Sequence, residues 1–397
     1  MTGLALKDPK VAEKFAAASR EAFCELVTRA IDERVAFALI AGDLYDGEWN
    51  DNSIGLFFNR EAGRLARAGI PIYLVKGNHD AVSVVTKTIR LPETVMEFST
   101  RAATTHEIAD LRVAIHGRSF PERAVSENWA VDFPAPHSGW FNIGLLHTSC
   151  EGNAQHATYA PCSIEDLRAR GYDYWALGHI HQYQELHRDP WIVYPGNLQG
   201  RSIRETGEKG GVFVDVVDGR IAGVRRMIVD RARWVEASVD LTQAASATEA
   251  VAAIKSNLDR HLAKIHGRTA AIRLRLTGRT HLNGALRSNR AQWEADAQAL
   301  IDHAHDDAWL EKLSLETNEP EQPKALPDLG GLDLGAMMAE LAGDPGFRRM
   351  ATEALAPIAA KLPGEAGDGE VPLARDIETL MREATAIVLT RAQDGKS

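Results

Sequence analysis

Four short apolar runs in this chain each end in side chains that commonly bind metal ions. The first, AFALIAGDLYD at 36–46, stops at Gly42-Asp43 and adds a second carboxylate at Asp46. The others are IPIYLVKGNHD at 70–80, WFNIGLLHT at 140–148 and YDYWALGHIH at 172–181. An apolar run with a polar break is typical of a buried strand, and α/β proteins bind ligands at the carboxyl ends of such strands. We therefore expect these polar residues to gather at one edge of a sheet.

The segments between these runs have helical spacing. Apolar residues recur at helical intervals over 11–34, and a second helix is predicted over 52–68, where Gly69 and then Pro71 follow its end. Strand, helix and strand in this order predict a parallel sheet. Further strands are predicted at 112–116, 141–146, 174–177, 191–194, 212–217 and 220–229, the last two joined by the hairpin signal Asp218-Gly219.

A second domain is predicted after residue 232, where the motifs with metal-binding residues at strand ends stop. Its pattern is a strand to 240, a helix over 248–265, a strand over 270–277, a helix over 288–304 and a strand over 309–317. Ser246 and Glu249 have the spacing of a capping box at the first of these helices. The prolines of 318–328 indicate a linker to a helical remainder. The expected divisions are 1–232, 233–318 and 319–397.

Composition narrows the class of protein. With 397 residues and 45% hydrophobic content, the chain can bury a large core in two or three domains. A net charge of −10 argues against a protein that simply coats DNA, although it leaves room for an enzyme that contacts phosphates through metal ions. The sequence shows neither a membrane span nor a secretory signal, and its three cysteines fit a reducing compartment, so we expect a cytoplasmic protein.

The polar residues at the strand ends suit a particular group of metals. Carboxylate, amide and imidazole ligands together favour divalent ions such as Mn²⁺, Fe²⁺ or Zn²⁺. A pair of such ions can clamp a phosphate and activate a water molecule, and Asp43 could bridge the pair. His179 and His181 are two residues apart at a strand end, so both rings could reach the same pair of metal ions. A single Gly-Asp or His-x-His is weak evidence for a metal site. Four such motifs, each at the end of a predicted strand, together predict one.

The motifs GDLYD, GNHD, LLHT and GHIH resemble the characteristic blocks of the calcineurin-like metallophosphoesterase superfamily. Longer phrases, IAGDLYDG, YAPCSIEDLRARGYDYWALGHIH and GNLQGRSIRETGEKG, resemble the SbcD/YhaO-type DNA-repair exonucleases, the bacterial counterparts of the Mre-type nucleases. The resemblance implies an α/β fold, namely a four-layer αββα metallophosphoesterase sandwich with a small α+β capping domain and a helical C-terminal tail. It also implies a cofactor of two divalent metal ions, with Mn²⁺ expected.

The resemblance assigns roles to individual residues. The implied metal ligands are Asp43, Asn78, His147, His179 and His181. Asp43 would bridge both metals and His181 would bind the second. His79 would face the scissile phosphate and stabilise the transition state or protonate the leaving oxygen, with Asp46 orienting it. The role of Asp80 stays open, and Asp46 and Asp80 could equally be turn formers beside strand ends.

One expected motif, an Asp-x-His after the first core strand, is absent upstream of Asp43. The second metal would then have only Asp43 and His181 as protein ligands. Two explanations stay open: the natural start lies further upstream, or the chain is a degenerate, weakly active or non-catalytic member. We expect the chain as written to bind one metal well and the second poorly.

The expected substrate is DNA. Arg118, Arg201 and Arg204 lie in loops after strands and could steer phosphates, although salt-bridged surface arginines are the alternative. In the second domain Arg273 and Arg275 share one strand face, where a solvated sheet face is an alternative to DNA contact.

The leading hypothesis is a metal-dependent exonuclease that acts on DNA ends in repair or recombination. The resemblance adds an SMC-like ATPase as a partner and a homodimer, with no membrane association. Two alternatives are a metallophosphoesterase for a small nucleotide and a catalytically impaired scaffold subunit of a nuclease complex.

Overall fold

The computed structural model divides the chain into two compact units, Met1–Trp234 and Val235–Ser397. It describes residues 9–45, 52–82, 90–151, 159–265, 267–320 and 334–359, together with 380–388 except 382 and 386. Both units contain strands and helices, so the mixed α/β class predicted from the sequence is confirmed. No helix in these described parts has the length and apolar character needed to cross a bilayer.

The first unit begins with two helices packed on a small sheet. The elements are α1 (Pro9–Asp32), β1 (Ala38–Ala41), α2 (Asn52–Arg67), β2 (Ile72–Val75) and β3 (Val95–Glu97), and the strands pair in parallel in the order β1-β2-β3. Ile72 and Leu74 point to the helix side and pack with residues such as Phe58 of α2. The predicted strand, helix and strand arrangement is therefore confirmed.

A second sheet has six strands in the order β4-β5-β6-β7-β9-β8. They are β4 (Thr104–Ile108), β5 (Val113–Gly117), β6 (Phe141–His147), β7 (Tyr174–Gly178), β8 (Gln184–Arg188) and β9 (Trp191–Tyr194). The four inner strands are parallel, and β4 and β8 pair antiparallel at the edges. β10 (Gly210–Val217) and β11 (Arg220–Ile228) form the hairpin predicted at Asp218-Gly219.

The two sheets pack face to face through alternate residues of their strands. Tyr73 and Val75 of β2 point away from the helices and pack with Ile115, Leu145 and Val193 of the second sheet. The opposite face of the second sheet packs against the short helix α3 (Ile164–Ala169) and neighbouring loops. The unit therefore has the layers predicted for the metallophosphoesterase sandwich: two helices, two sheets, and then α3 with its neighbouring loops.

The second unit contains a three-stranded sheet and its helices, and the first of these strands starts at Ala232, three residues before the unit does. The elements are β12 (Ala232–Asp240), α4 (Ala247–Leu262), β13 (Thr269–Arg279), α5 (Asn283–Ser288), α6 (Arg290–Ala304), β14 (Ala308–Asn318), α7 (Leu334–Gly343) and α8 (Pro345–Ala359), and the sheet order is β12-β13-β14. The Ser246 hydroxyl accepts the Glu249 N–H at 3.3 Å, whereas the Glu249 carboxylate accepts the N–H of Ala245 instead of closing a full capping box. The short helix α5 was not predicted.

Candidate metal centre

His147, the last residue of β6, lies at the centre of the site and is 0% exposed. Its Nδ1 is 2.9 Å from the carbonyl oxygen of Ala41, which can only accept a hydrogen bond, so Nδ1 carries the proton. Burial lowers the pKa of His147 and keeps the ring neutral, which leaves a lone pair on Nε2. This lone pair faces Asn78 Oδ1 at 2.8 Å and Asp43 Oδ2 at 3.5 Å.

The side chains around His147 form a set of acceptors that fits a divalent cation. Ligand atoms of Asp43, His147 and His179 all lie within 4.8 Å of one another, and Asn78, which is 3% exposed, adds an amide oxygen. A carboxylate, an amide oxygen and an imidazole lone pair that face each other in a buried site repel unless a cation lies among them. The chemistry of this donor set therefore fits a borderline or hard divalent ion.

Three glycines, to which the sequence analysis gave no packing role, allow this close approach of the ligands. Gly42, Gly77 and Gly178 each precede a predicted ligand by one residue. A Cβ on Gly42 would lie 2.5 Å from His147 Nδ1, and one on Gly178 would overlap the carbonyl oxygen of Ala41. A side chain at these positions would displace the histidine or the strand beside it. The signal was present in the sequence as the repeated Gly before Asp, Asn or His.

Asp80 connects the loops that carry Asp43 and Asn78. Its carboxylate, which is 2% exposed, accepts the backbone N–H groups of Leu44, Tyr45 and Gly77 at 3.2, 2.9 and 3.0 Å. Burial raises the pKa of Asp80 to about 7, and the charge of Asp43 adds to the increase, while the three N–H donors oppose it. Asp80 therefore holds two strand-end loops together, a role more specific than that of a local turn former.

The remaining predicted site residues lie around this cluster. The backbone N–H of His79 donates to Asp43 Oδ1 at 3.0 Å, which keeps His79 at the same strand end. His181 is not one of the three side chains whose ligand atoms converge; its Nδ1 contacts Glu205 Oε1 at 2.7 Å. Asp46 lies outside the described residues. The structure thus brings four of the five predicted ligands together and places His181 beside a carboxylate.

The three arginines expected to contact DNA have different surroundings. The Arg118 guanidinium lies 3.8 Å from the centre of the Trp129 ring, and its buried Nε has no hydrogen-bond partner among the residues that the structure describes. Arg201 Nη2 lies 3.4 Å from Glu205 Oε1. The backbone N–H of Arg204 contacts the Ser202 hydroxyl at 3.3 Å. The role of these three arginines in binding phosphate stays a prediction.

The arginines of the second unit are paired with carboxylates. Arg273 makes two hydrogen bonds to Glu311, at 2.8 and 2.7 Å. Arg275 pairs with Glu316 and Glu236. Each guanidinium is therefore neutralised by carboxylates on neighbouring strands of the same sheet, whereas the sequence analysis considered only DNA contact or a solvated face.

Comparisons with known proteins agree with this geometry. The family model described as calcineurin-like phosphoesterase matches residues 16–183, a range that contains all the predicted metal ligands. The model described as metallophosphoesterase YhaO, middle domain, matches residues 234–318. The chain is 33% identical to the uncharacterized metallophosphoesterase YhaO of Bacillus subtilis over 341 residues, which cover 82% of this chain and 83% of that protein. It is 25% identical to the DNA double-strand break repair protein Mre11 of Sulfurisphaera tokodaii over 228 residues, which cover 53% and 56%.

Proposed function

Because the chain belongs to the calcineurin-like metallophosphoesterase family and is of the YhaO type, we propose that it is a metal-dependent phosphodiesterase that acts on DNA ends. Proteins of this family are phosphoesterases that use divalent metals. The proposal adds the substrate, the exonucleolytic mode and a role in DNA repair or recombination. The similarity to a protein described as a DNA double-strand break repair protein supports this choice of substrate.

The observation that carries the proposal is the convergence of Asp43, His147 and His179 at the carboxyl ends of three strands, with the amide of Asn78 beside them. These four side chains would hold a divalent ion, which when bound supplies Lewis-acid stabilisation of a phosphate and a more acidic water. We propose Mn²⁺ as the ion, and His181 as a ligand of a second, less complete site.

His79 is proposed as the residue that acts on the phosphate. Its backbone bond to Asp43 keeps it next to the metal ligands. From that position the imidazole would stabilise the charge on the phosphate or protonate the leaving oxygen. Asp46, in the same Asp43-to-Asp46 phrase, is proposed to orient the ring.

The DNA contacts and partners are also proposals. Arg118, Arg201 and Arg204 follow strands of the first unit and would contact the phosphate backbone. Apolar side chains that are 41–62% exposed on helices support contacts with other chains; they include Leu56, Met337, Leu341 and Met350. We propose a homodimer that works with an SMC-like ATPase, and a division into a nuclease domain, a capping domain and a helical tail.

A comparison of substrates tests the proposed function. The purified full chain is given linear duplex DNA, a covalently closed circle, a chromogenic phosphodiester and a nucleotide, with Mn²⁺ and then with a chelator. We expect the ends of linear DNA to be degraded only with Mn²⁺, while the circle is spared. Hydrolysis restricted to the nucleotide would favour a small substrate, and hydrolysis of none of the four would favour a scaffold.

His147→Gln and His116→Gln form a matched pair of variants for this assay. Both histidines are 0% exposed and lie on the adjacent parallel strands β6 and β5, but His116 contacts Thr105 and Asn142 instead of the metal centre. We expect loss of Mn²⁺-dependent cleavage in His147→Gln and retained cleavage in His116→Gln. Equal cleavage by both variants would refute the proposed site.

A further inference from the structure

The segment 196–210, GNLQGRSIRETGEKG, contains none of the predicted metal ligands, yet its polar groups converge on one of them. We propose that Glu205 in this segment is a positioning residue that holds the His181 ring in one tautomer, with the proton on Nδ1 and the lone pair on Nε2. The proposal rests on the proposed function, because it gives His181 a ligating role at the same site.

The contacts of Glu205 determine which atom carries the shared proton. The side chain is 12% exposed, and Oε1 lies 2.7 Å from His181 Nδ1. Oε2 accepts the backbone N–H of Arg201 at 2.8 Å and the side-chain amide of Asn197 at 2.9 Å. Arg201 Nη2 approaches Oε1 at 3.4 Å. A carboxylate surrounded by donors acts only as an acceptor, so the proton between Glu205 and His181 lies on Nδ1.

The same segment also holds the main chain of His181. The carbonyl oxygen of His181 accepts the Lys209 ammonium at 2.9 Å and the backbone N–H of Asn197 at 3.2 Å. Lys209 is 5% exposed, so this contact takes the place of hydrogen bonds to water. A Cβ on Gly196 would lie 3.0 Å from the His181 carbonyl oxygen. Ring and backbone are therefore fixed by one segment.

A fixed Nδ1–H leaves Nε2 as the only ring nitrogen able to bind a cation. The His181 side chain is 37% exposed, so Nε2 is accessible to an ion. Carboxylates that bond the second nitrogen of a ligating histidine commonly orient the ring and raise the basicity of the ligand. His181 follows by two residues His179, whose ring centre lies 5.3 Å from that of His147 in the cluster of acceptors.

Glu205→Gln should reverse this arrangement. Two N–H donors face Oε2, so the single oxygen of a glutamine side chain is best placed there, and its NH₂ group then faces His181. Nδ1 must accept from this group, and the ring proton moves to Nε2. The lone pair needed for a cation is lost, although the shape of the side chain is almost unchanged.

Glu208→Gln is the matched control, because it makes the same chemical change three residues away. Glu208 is 50% exposed and lies 3.5 Å from Arg226. Within the described residues its carboxylate contacts Arg226 and, at 3.9 Å, Arg233, and neither His181 nor Glu205, so its substitution should leave the His181 ring unchanged.

Nuclear magnetic resonance of metal-free full chain with ¹⁵N-labelled histidine rings, at mildly alkaline pH, reads the tautomer directly, with His181 assigned from a His181→Gln sample. We expect the proton on Nδ1 in the chain without substitutions and in Glu208→Gln, and on Nε2 in Glu205→Gln. Calorimetric titration with Mn²⁺ should show a loss of affinity of about 10–100-fold in Glu205→Gln alone at any site that includes His181.

A proton on Nε2 in the unsubstituted chain would overturn the proposal, and this spectrum is informative even if Glu205→Gln does not fold. An unchanged tautomer or unchanged Mn²⁺ affinity in a folded Glu205→Gln would also overturn it. These results are separate from the proposed function: DNA cleavage with an unchanged tautomer would refute only the role of Glu205. The expected tautomers and affinities without hydrolysis of any phosphodiester would refute only the proposed function.

Discussion

Gly77→Ala tests whether close packing at a strand end controls the metal centre. Gly77 follows β2 and precedes Asn78. Its added Cβ would lie 2.7 Å from the backbone nitrogen of Asp43 and 2.7 Å from Cε1 of His147, and it would also collide with Asp43 Oδ1. Ordinary contact begins near 3.4 Å, so the neighbours must move by about 0.7 Å.

Neither neighbour can move freely. His147 is 0% exposed and bonded to the Ala41 carbonyl, and Asp43 has a left-handed backbone with φ of 53°. Overpacking of this kind costs about 1–3 kcal/mol in the free energy of unfolding. For a unit of this size that lowers the Tm by roughly 2–12 °C. Metal–ligand distances tolerate only about 0.2 Å, so the Mn²⁺ affinity should fall by at least about 10-fold.

Gly63→Ala is the control for this substitution. Gly63 lies inside α2, where an added Cβ meets Arg67 Nη1 at 3.5 Å, an ordinary contact with a flexible side chain. Replacing a helical glycine by alanine should stabilise the chain by about 0.5–1 kcal/mol and leave Mn²⁺ binding unchanged. Thermal unfolding and calorimetric titration measure both effects. If Gly77→Ala bound Mn²⁺ and unfolded like the unsubstituted chain, the packing argument for the glycine motifs would be refuted.

Three further predictions concern the same unit. Asp80→Asn should cost about 1–3 kcal/mol in denaturant unfolding, because one of its buried N–H partners would face an NH₂ group; an unchanged midpoint would contradict the anchoring role. Mn²⁺ at about 100 times its Kd should raise the free energy of unfolding by about 2.7 kcal/mol, an increase that a chelator reverses and that His147→Gln lacks. Burial lowers the folded-state pKa of His116 from 6.5, so the unfolded chain gains its proton first and stability should fall as the pH drops below about 6.5. His116→Gln should reduce this loss of stability at low pH in a series of Tm measurements. A pH profile identical to that of the unsubstituted chain would contradict the role of His116.

Local periodicity was sufficient to predict most elements of the fold. α1 and α2 have apolar residues at helical intervals, and the parallel strands are short apolar runs, so each pattern indicated its own structure. α5 was missed because it is six residues long and contains Gly284. Helices this short leave little periodic signal.

The candidate site likewise contains some residues that could be predicted from the sequence and others that could not. Asp43, Asn78, His147 and His179 could be named in advance, because each ends an apolar strand or lies within three residues of its end. The expectation of a single sheet was wrong: Asp43 and Asn78 follow strands of the three-stranded sheet, and the two histidines lie at strand ends of the six-stranded sheet. The packing of the two sheets brings these ends together.

The function of Asp80 could not be predicted, because two of its three hydrogen bonds reach Leu44 and Tyr45 in a loop some 35 residues earlier. Glu205 could not either, since no local pattern indicates which buried carboxylate will face a histidine 24 residues earlier.

The amino-acid sequence by itself determined the order of strands and helices and the chemical types of the ligands, because both follow from residues close together in the chain. Only the tertiary structure decided which nitrogen of His147 carries a proton, which glycines the packing requires and which carboxylate contacts His181. Those properties depend on distances between segments that are remote in sequence. They arise only when the two sheets pack together.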